Sequence, residues 1–235
     1  MKTETLLEKE GANLGRRSFL RYAGVGLAGV GILAAASCKK DQGEGIVGGG
    51  TGNGIDLGAQ GDFAILNYAY ALEQLEAAFY TQVSANMYTG ATSDEIALFT
   101  DIRDHELAHR EFFKAALGTN AIQALTPDFT SVNFSNRASV LATAQAFEDL
   151  GVSAYNGAGY LIKDANYLTI AGKIVSVEAR HAAYIRNLVS PGSFADSTIL
   201  DGFGMDKPKT IPMVLATANT FLKTKVNASA YGYTV

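Results

Sequence analysis

Apolar residues recur at helical spacing in four long stretches of this chain, and polar residues fill the positions between them. The pattern predicts helices from about Asp62 to Met87, Ser93 to Leu117, Ser135 to Lys163 and Tyr167 to Val189. Asp62 is the expected N-cap of the first helix. Thr92 and Glu95 form a capping-box pattern before the second helix, and Gly118 predicts its end. Because no strand hairpin is visible, the sequence predicts an all-α protein.

Loop lengths predict how the helices are arranged. The gaps inside the first and second pairs of helices are about five residues long, so each pair should be an antiparallel hairpin. The connection from Gly118 to Phe134 is much longer. Fully extended it reaches about 56 Å, whereas a helix of this size is about 38 Å long. We therefore expect a four-helix bundle in which a crossover leaves helices 2 and 3 parallel.

Two short runs indicate the chemistry of this bundle. The chain has three histidines, and two of them, His109 and His181, follow a glutamate by three residues. Residues i and i+3 share one face of a helix. The pairs Glu106–His109 and Glu178–His181 therefore each direct a carboxylate and an imidazole toward one point. Two such pairs, with one glutamate from each of the other helices, are typical of di-iron and di-manganese bundles.

A second repeated spacing indicates the other two glutamates. Glu73 precedes Tyr80 by seven residues, and Glu148 precedes Tyr155 by the same interval. Seven residues are about two helical turns, so each pair shares a face. Glu76 is the alternative to Glu73, which we prefer because only Glu73 reproduces the spacing of the second half. Each tyrosine could donate a hydrogen bond to a carboxylate or an electron during turnover; the alternative is packing with a satisfied hydroxyl.

The stretch from about residue 60 to 190 resembles the ferritin-like domain family that includes desiccation-associated proteins. The segments that carry the resemblance are Leu66-Asn67-Tyr68-Ala69, Leu75-Glu76-Ala77-Ala78-Phe79-Tyr80, His105-Glu106-Leu107-Ala108-His109, Phe147-Glu148-Asp149-Leu150-Gly151 and Val177-Glu178-Ala179-Arg180-His181-Ala182-Ala183-Tyr184. The fold that it implies is the ferritin-like four-helix bundle. The metal ligands that it implies are Glu73, Glu106, His109, Glu148, Glu178 and His181.

These ligands suit two iron or manganese ions, since hard carboxylate oxygens can bridge two ions and imidazole supplies a firmer ligand to each. We expect Glu106 and Glu178 to bridge the ions, and Glu73 and Glu148 to be terminal. Such a site should react with oxygen or peroxide, as a ferroxidase or a peroxide scavenger in stress protection. The protein would then be a di-metal oxidoreductase. The alternative is a non-catalytic envelope protein of stress or desiccation that binds or buffers metal.

A zinc protease is a more remote alternative. His105-Glu106-Leu107-Ala108-His109 also spells the His-Glu-x-x-His signature, in which both histidines bind zinc. No further Gly and His of the metzincin type follow it, and the Glu178–His181 pair would stay unexplained. On the dinuclear hypothesis, His105 could lie next to the metal ligands, but a surface or capping role is preferred. His105→Ala should then have little effect on metal content, whereas a zinc site would lose its metal.

The N-terminus predicts export. Arg16 and Arg17 lie in a segment that looks like a twin-arginine signal. The apolar stretch that follows is too short and too weak for a stable membrane span. Cys38 follows small residues, as in the lipobox of bacterial lipoproteins; the alternative is ordinary signal cleavage. The predicted organisation is a signal over 1–38, a glycine-rich linker over 39–58, the bundle over 59–190 and an extension over 191–235, with a short helix expected from Ile211 to Lys223.

Composition and charge limit the partners. A net charge of −4 provides no basic surface for nucleic acid, and one cysteine rules out an internal disulfide framework. The expected partners are metal ions, oxygen or peroxide, and a membrane reached through the lipid anchor in the periplasm or cell envelope. A homodimer is compatible with the sequence. A closed iron-storage shell is not expected, because a tethered chain is an awkward subunit for one.

Overall fold

The computed structural model describes residues 54–235, and over that range the protein is mainly helical. Its four long helices are α1 (Asp62–Ala85), α2 (Ser93–Leu117), α3 (Arg137–Ala158) and α4 (Ala165–Val189). The same range holds a short helix, α5 (Ile211–Ala218), and two parallel strands, β1 (Gly54–Asp56) and β2 (Lys225–Asn227). The predicted all-α bundle is confirmed.

The four helices form two hairpins. α1 packs along α2, α3 packs along α4, and α1 and α3 are in contact between the hairpins. The connections within the hairpins, 86–92 and 159–164, are short, as antiparallel neighbours require. α3 is shorter than predicted. The side chain of Asn136 accepts a hydrogen bond from the backbone of Ser139 and sets the start, and a 3-10 turn over Gly159–Leu161 follows the end.

The predicted N-cap role of Asp62 is wrong. Gly61 occupies the cap position without a side-chain hydrogen bond, and Asp62 is the first residue of α1. Its carboxylate instead accepts hydrogen bonds from the backbone N–H groups of Lys163 and Asp164, at 2.8 and 2.9 Å. The carboxylate therefore satisfies backbone donors of the connection before α4 and ties the start of α1 to the second hairpin.

The crossover between the hairpins runs along α1. The contacts are, in order along α1, Asn67 with Ile122, Gln74 with Leu125, and Phe79 with Phe129. Since the residue numbers rise together, this segment runs in the same direction as α1 and returns the chain to the end where α2 begins. α2 and α3 are therefore parallel, as the loop length predicted. The crossover also covers α1, whose side chains are buried on nearly every side.

An ion pair joins the first turns of α2 and α3. The capping box at the start of α2 is confirmed: the Thr92 hydroxyl accepts from the backbone of Glu95, and the Glu95 carboxylate accepts from the backbone of Thr92. The other oxygen of that carboxylate lies 2.6 Å from the Arg137 guanidinium. Burial alone would raise the pKa of Glu95, but the Thr92 hydrogen bond and the Arg137 charge outweigh it and lower the pKa below its usual value.

The C-terminal segment belongs to the core. Val214 and Leu215 of α5 and Val226 of β2 are fully buried in the same cluster as residues of α1 and α3. β2 pairs with β1, so the two ends of the described chain are hydrogen-bonded to each other. At Gly157 the segment approaches α3 so closely that a Cβ atom would lie 1.8 Å from the carbonyl oxygen of Lys209. The extension after the four helices is thus packed onto α3.

Two features of the predicted organisation concern the membrane. Within residues 54–235, every helix is too short or too polar to cross a bilayer. Arg16 and Arg17 of the predicted export signal and Cys38, the predicted lipidation site, lie outside that range.

We predict that Glu95→Gln lowers the free energy of unfolding by about 1 kcal/mol at pH 7. The amide keeps the capping hydrogen bond but loses the charge that pairs with Arg137. Because folding lowers the pKa of Glu95, its charge contributes stability above the unfolded pKa, and this contribution is lost as the pH falls through the folded pKa. Denaturant titrations at pH 7 and at about pH 3 should therefore show a smaller difference between the two proteins at the lower pH.

Glu111→Gln is the control for this change, because the Glu111 carboxylate pairs with Arg110 on the surface and is 55% exposed. We expect an effect within about 0.5 kcal/mol for it. A loss of equal size at both pH values for Glu95→Gln would contradict the role of its charge.

Gly157→Ala should destabilise the protein by about 1–3 kcal/mol, because the methyl group would overlap the Lys209 backbone. Gly172→Ala is the matched control: Gly172 also lies inside a long helix, but its added Cβ meets nothing within 4 Å. That change should stabilise the protein by up to about 1 kcal/mol, since alanine is the better helix former. Thermal unfolding measures both, and equal effects would show that the contact at Lys209 is unimportant.

Candidate metal centre

The six residues predicted as ligands lie together inside the bundle. Their possible ligand atoms form two groups, and the atoms in each group are within 4.8 Å of one another. The first group consists of Glu73, Glu106, His109 and Glu178. The second group consists of Glu106, Glu148, Glu178 and His181. Glu106 and Glu178 belong to both groups, which is the arrangement expected of bridging carboxylates. Each group also has one histidine and one glutamate of its own.

Helical spacing explains how each hairpin supplies its ligands. Glu106 and His109 are one turn apart on α2, as are Glu178 and His181 on α4, so both members of a pair face the interior. The Nδ1 atom of His109 lies 2.9 Å from Glu178 Oε1, across the bundle. The Nδ1 atom of His181 lies 3.0 Å from Glu106 Oε1 in the same way. Each histidine therefore meets the glutamate of the opposite pair.

Burial makes this cluster costly without cations. The side chains of Glu73, Glu106 and Glu148 are 0% exposed and that of Glu178 is 1% exposed. The buried atoms that lack a hydrogen-bond partner include Glu73 Oε2, Glu148 Oε2, both carboxylate oxygens of Glu106 and Glu178, and Nδ1 of His109 and His181. Folded proteins rarely leave buried polar atoms unsatisfied, and buried charges need partners. Oxygen and imidazole ligands that converge in this way fit metal cations.

Tyr80 and Tyr155 donate hydrogen bonds to the two unshared glutamates, which is one of the roles that the sequence predicted for them. The Tyr80 hydroxyl on α1 donates to Glu148 Oε1 on α3. The Tyr155 hydroxyl on α3 donates to Glu73 Oε1 on α1. Each tyrosine thus contacts the glutamate of the other hairpin, not the one seven residues before it. The hydrogen bond fixes one carboxylate oxygen and leaves the second, Oε2, directed at the histidine.

The electrostatics of the centre show strong coupling between its groups. Although burial favours a neutral ring, the carboxylates of Glu148 and Glu106 raise the pKa of His181 to about 12. Burial and the Glu178 charge raise the pKa of Glu106 to about 8. Burial also raises the pKa of Tyr80 well above its usual value, which keeps its hydroxyl a donor. Protons and metal cations compete for the same histidine and carboxylate atoms, so cation binding must release protons.

His105 lies beside the centre rather than only at the surface. It is exposed, as expected, but its Nδ1 atom lies 2.9 Å from His181 Nε2. If His181 binds a cation through Nδ1, the ring proton is on Nε2. That N–H group then donates a hydrogen bond to His105 Nδ1. Within the described residues, neither group of possible ligands includes His105. The geometry therefore gives His105 a positioning role and does not support a zinc site made by His105 and His109.

Glu76 was considered only as a substitute for Glu73, but the structure places both near the centre. Glu73 belongs to a ligand group, whereas Glu76 belongs to neither. Glu76 is nevertheless buried, and this burial, with the charges of Glu178, Glu106 and Glu148, raises its pKa well above the usual value. The i, i+3 spacing of Glu73 and Glu76 was the available signal in the sequence, since it puts both on one face of α1.

Comparison with known protein families agrees with this geometry. A family model described as a ferritin-like domain matches residues 61–191, which is more than half of the chain. A search of curated proteins found no match. The matched region runs from the residue before α1 to just after α4, so it contains every residue of the candidate centre.

We predict that His105→Ala weakens the binding of one metal ion by about tenfold without changing the number of ions bound. The substitution removes the partner of His181 Nε2 and leaves every candidate ligand in place. Competition with a chromophoric chelator, using Mn²⁺, measures the affinity. The metal content should stay unchanged, as is also expected from the sequence for a dinuclear site.

His105→Gln is the matched variant, because its side-chain oxygen can accept the hydrogen bond in place of the imidazole. It should recover most of the affinity. Unchanged affinity in His105→Ala would show that the contact does not position His181. Loss of all metal would instead favour the zinc site.

Proposed function

The chain belongs to the ferritin-like domain family, and we propose that it binds two iron or manganese ions and reacts with oxygen or peroxide. The observation that carries the proposal is the pair of ligand groups that share Glu106 and Glu178. In this proposal Glu106 and Glu178 would help to hold both ions. Glu73 and His109 would hold one ion with them, and Glu148 and His181 would hold the other.

Charge supports two divalent ions in these positions. Four carboxylates carry four negative charges, and two divalent cations carry four positive charges. The low exposure of the glutamates makes this balance important, because unpaired buried charge is strongly unfavourable. Iron and manganese accept both carboxylate oxygen and imidazole nitrogen, so the donor set suits either metal.

The bound pair would supply the redox chemistry: two ferrous ions give two electrons, which with two protons reduce one hydrogen peroxide to two waters. The chain's own residues prepare the site for it. Tyr80 and Tyr155 hold the unshared glutamates in position. The His109 side chain is 13% exposed, more than any other proposed ligand. Small molecules and ions would therefore enter the cluster beside His109.

The proposal also includes export. Arg16 and Arg17 would direct the protein through a twin-arginine route, and Cys38 would carry a lipid that anchors it at the cell envelope. A twin-arginine route carries folded cargo, which would allow the metal centre to assemble before export. In this setting the protein would protect the envelope against oxidative or desiccation stress. Release from membranes on Cys38→Ala would support the anchor.

We predict that the full-length protein, purified from cells supplied with iron and manganese, contains about two of these ions per chain. Glu106→Ala/Glu178→Ala should lose both ions, because it removes the two shared carboxylates. Elemental analysis measures the metal content. The iron-loaded protein should consume hydrogen peroxide at least about tenfold faster than the double variant.

Glu111→Ala is the control for this double variant, since it removes a carboxylate from the surface of α2 and should leave metal content unchanged. Helical content by circular dichroism shows whether the variants fold. Metal binding without peroxide or oxygen consumption would replace the enzyme with a protein that stores or buffers metal. Folded protein without metal, or with one zinc, would contradict the proposal.

A further inference from the structure

The two hairpins supply matching ligands but differ at one matched position. Glu73 on α1 corresponds to Glu148 on α3, since each is the unshared glutamate of one ligand group. One turn later, α1 has Glu76 and α3 has Gly151. The carboxylate of Glu76 on α1 therefore has no counterpart on α3, because glycine has no side chain.

Gly151 leaves the room that Glu76 occupies. A Cβ atom at position 151 would lie 3.2 Å from Glu76 Oε1 and 3.9 Å from Glu178 Oε2. The first distance is tighter than ordinary van der Waals contact, so any larger residue would press on the Glu76 carboxylate. The carboxylates of Glu76 and Glu178 thus lie around the same small space beside α3.

The position of Glu178 shows whether this space lies next to the ligand group of His109 or to that of His181. Glu178 Oε1 faces His109 Nδ1 at 2.9 Å, and Glu178 Oε2, the oxygen near position 151, faces His181 Nδ1 at 3.7 Å. The next turn of α1 supports the same assignment, because Tyr80 contacts Glu148, which belongs to the group of His181. Glu76 therefore lies on the side of His181.

Within residues 54–235, the surroundings of Glu76 disfavour its negative charge. Glu76 is 4% exposed, and after burial itself the largest effects on its pKa come from the four glutamates of the centre, which all raise it. No described residue donates a hydrogen bond to it. A buried carboxylate in this situation is stable only as the neutral acid or beside a cation, and a cation that displaces the proton gains a ligand. We propose that Glu76 is a fifth carboxylate of the centre that serves the metal position of His181, so that the two metal positions are unequal.

This inference rests on the proposed function, because it requires two bound ions. Its consequence follows from charge: five carboxylates against two divalent cations leave one surplus negative charge, and this charge lies on one side. The position of His181 should therefore bind its ion more tightly than the position of His109. The asymmetry comes from one residue, so it can be tested by changing that residue.

The test is a calorimetric titration of the metal-free, full-length protein with Mn²⁺. The wild-type protein should bind two ions with different affinities. Glu76→Gln should weaken the tighter ion by at least about tenfold and leave the weaker ion unchanged. Glu73→Gln is the matched variant, one turn away on the same helix. It should weaken the other ion, because Glu73 belongs to the group of His109 alone.

Thermal unfolding of the metal-free proteins provides a second readout. Glu76→Gln should raise the melting temperature, because it removes a carboxyl group whose ionised form is disfavoured by burial and by the neighbouring glutamates in the folded state. Gly151→Ala should weaken the same ion as Glu76→Gln, to a smaller extent, because the added methyl group presses on the carboxylate without removing its charge.

Two results would overturn the inference while the proposed function stands: unchanged affinities in Glu76→Gln, or equal weakening of both ions in a less stable protein. The second result would mean that Glu76 only supports the fold. A wild-type protein that binds fewer than two ions would overturn the proposed function and this inference with it.

Discussion

The burial of carboxylates among four helices is the constraint on which this structure depends. Each long helix contributes at least one fully buried glutamate to the same cluster. Such groups are tolerated only when hydrogen-bond donors or cations compensate them. Two tyrosine hydroxyls satisfy one oxygen each, at Glu148 and Glu73, and the remaining oxygens face histidine nitrogens and one another. Packing of the bundle and binding of cations are therefore linked, because the same contacts that bring the helices together bring the negative charges together.

The exchange of partners between the hairpins is a consequence of this constraint. Tyr80 and Glu148 belong to different hairpins, and so do Tyr155 and Glu73. The shared carboxylates are exchanged in the same way, since His109 on α2 is closest to Glu178 on α4. Neither hairpin can complete a ligand group alone. Any change that shifts α1 against α3 would alter both groups together, so the centre depends on the interface between hairpins more than on either hairpin itself.

The sequence predicted those features that depend on spacing within one helix. The two Glu-x-x-His pairs, the Thr92–Glu95 capping box and the helix end at Gly118 follow from local geometry, and the structure has all three. Features that depend on which helices become neighbours could not be predicted from the sequence. The spacing of Glu73 and Tyr80 indicated a shared face correctly but could not show that the tyrosine contacts another hairpin. For the same reason the sequence could not show that the Asp62 carboxylate accepts hydrogen bonds from the backbone of a distant connection.

The environment of α1 explains why the departure from two-fold symmetry occurs on this helix. Most helices of a bundle keep one face in solvent, but the crossover covers the outer side of α1, so its polar residues need internal partners. Asn67 and Gln74 find them in the backbone of the crossover. Glu76, on the opposite side, has the glutamates of the centre as its charged neighbours. The same position on α3 is Gly151, which provides the space that this carboxylate needs. The covering of α1 and the missing side chain on α3 are thus two parts of one arrangement, which leaves room for an additional buried carboxyl group beside the centre.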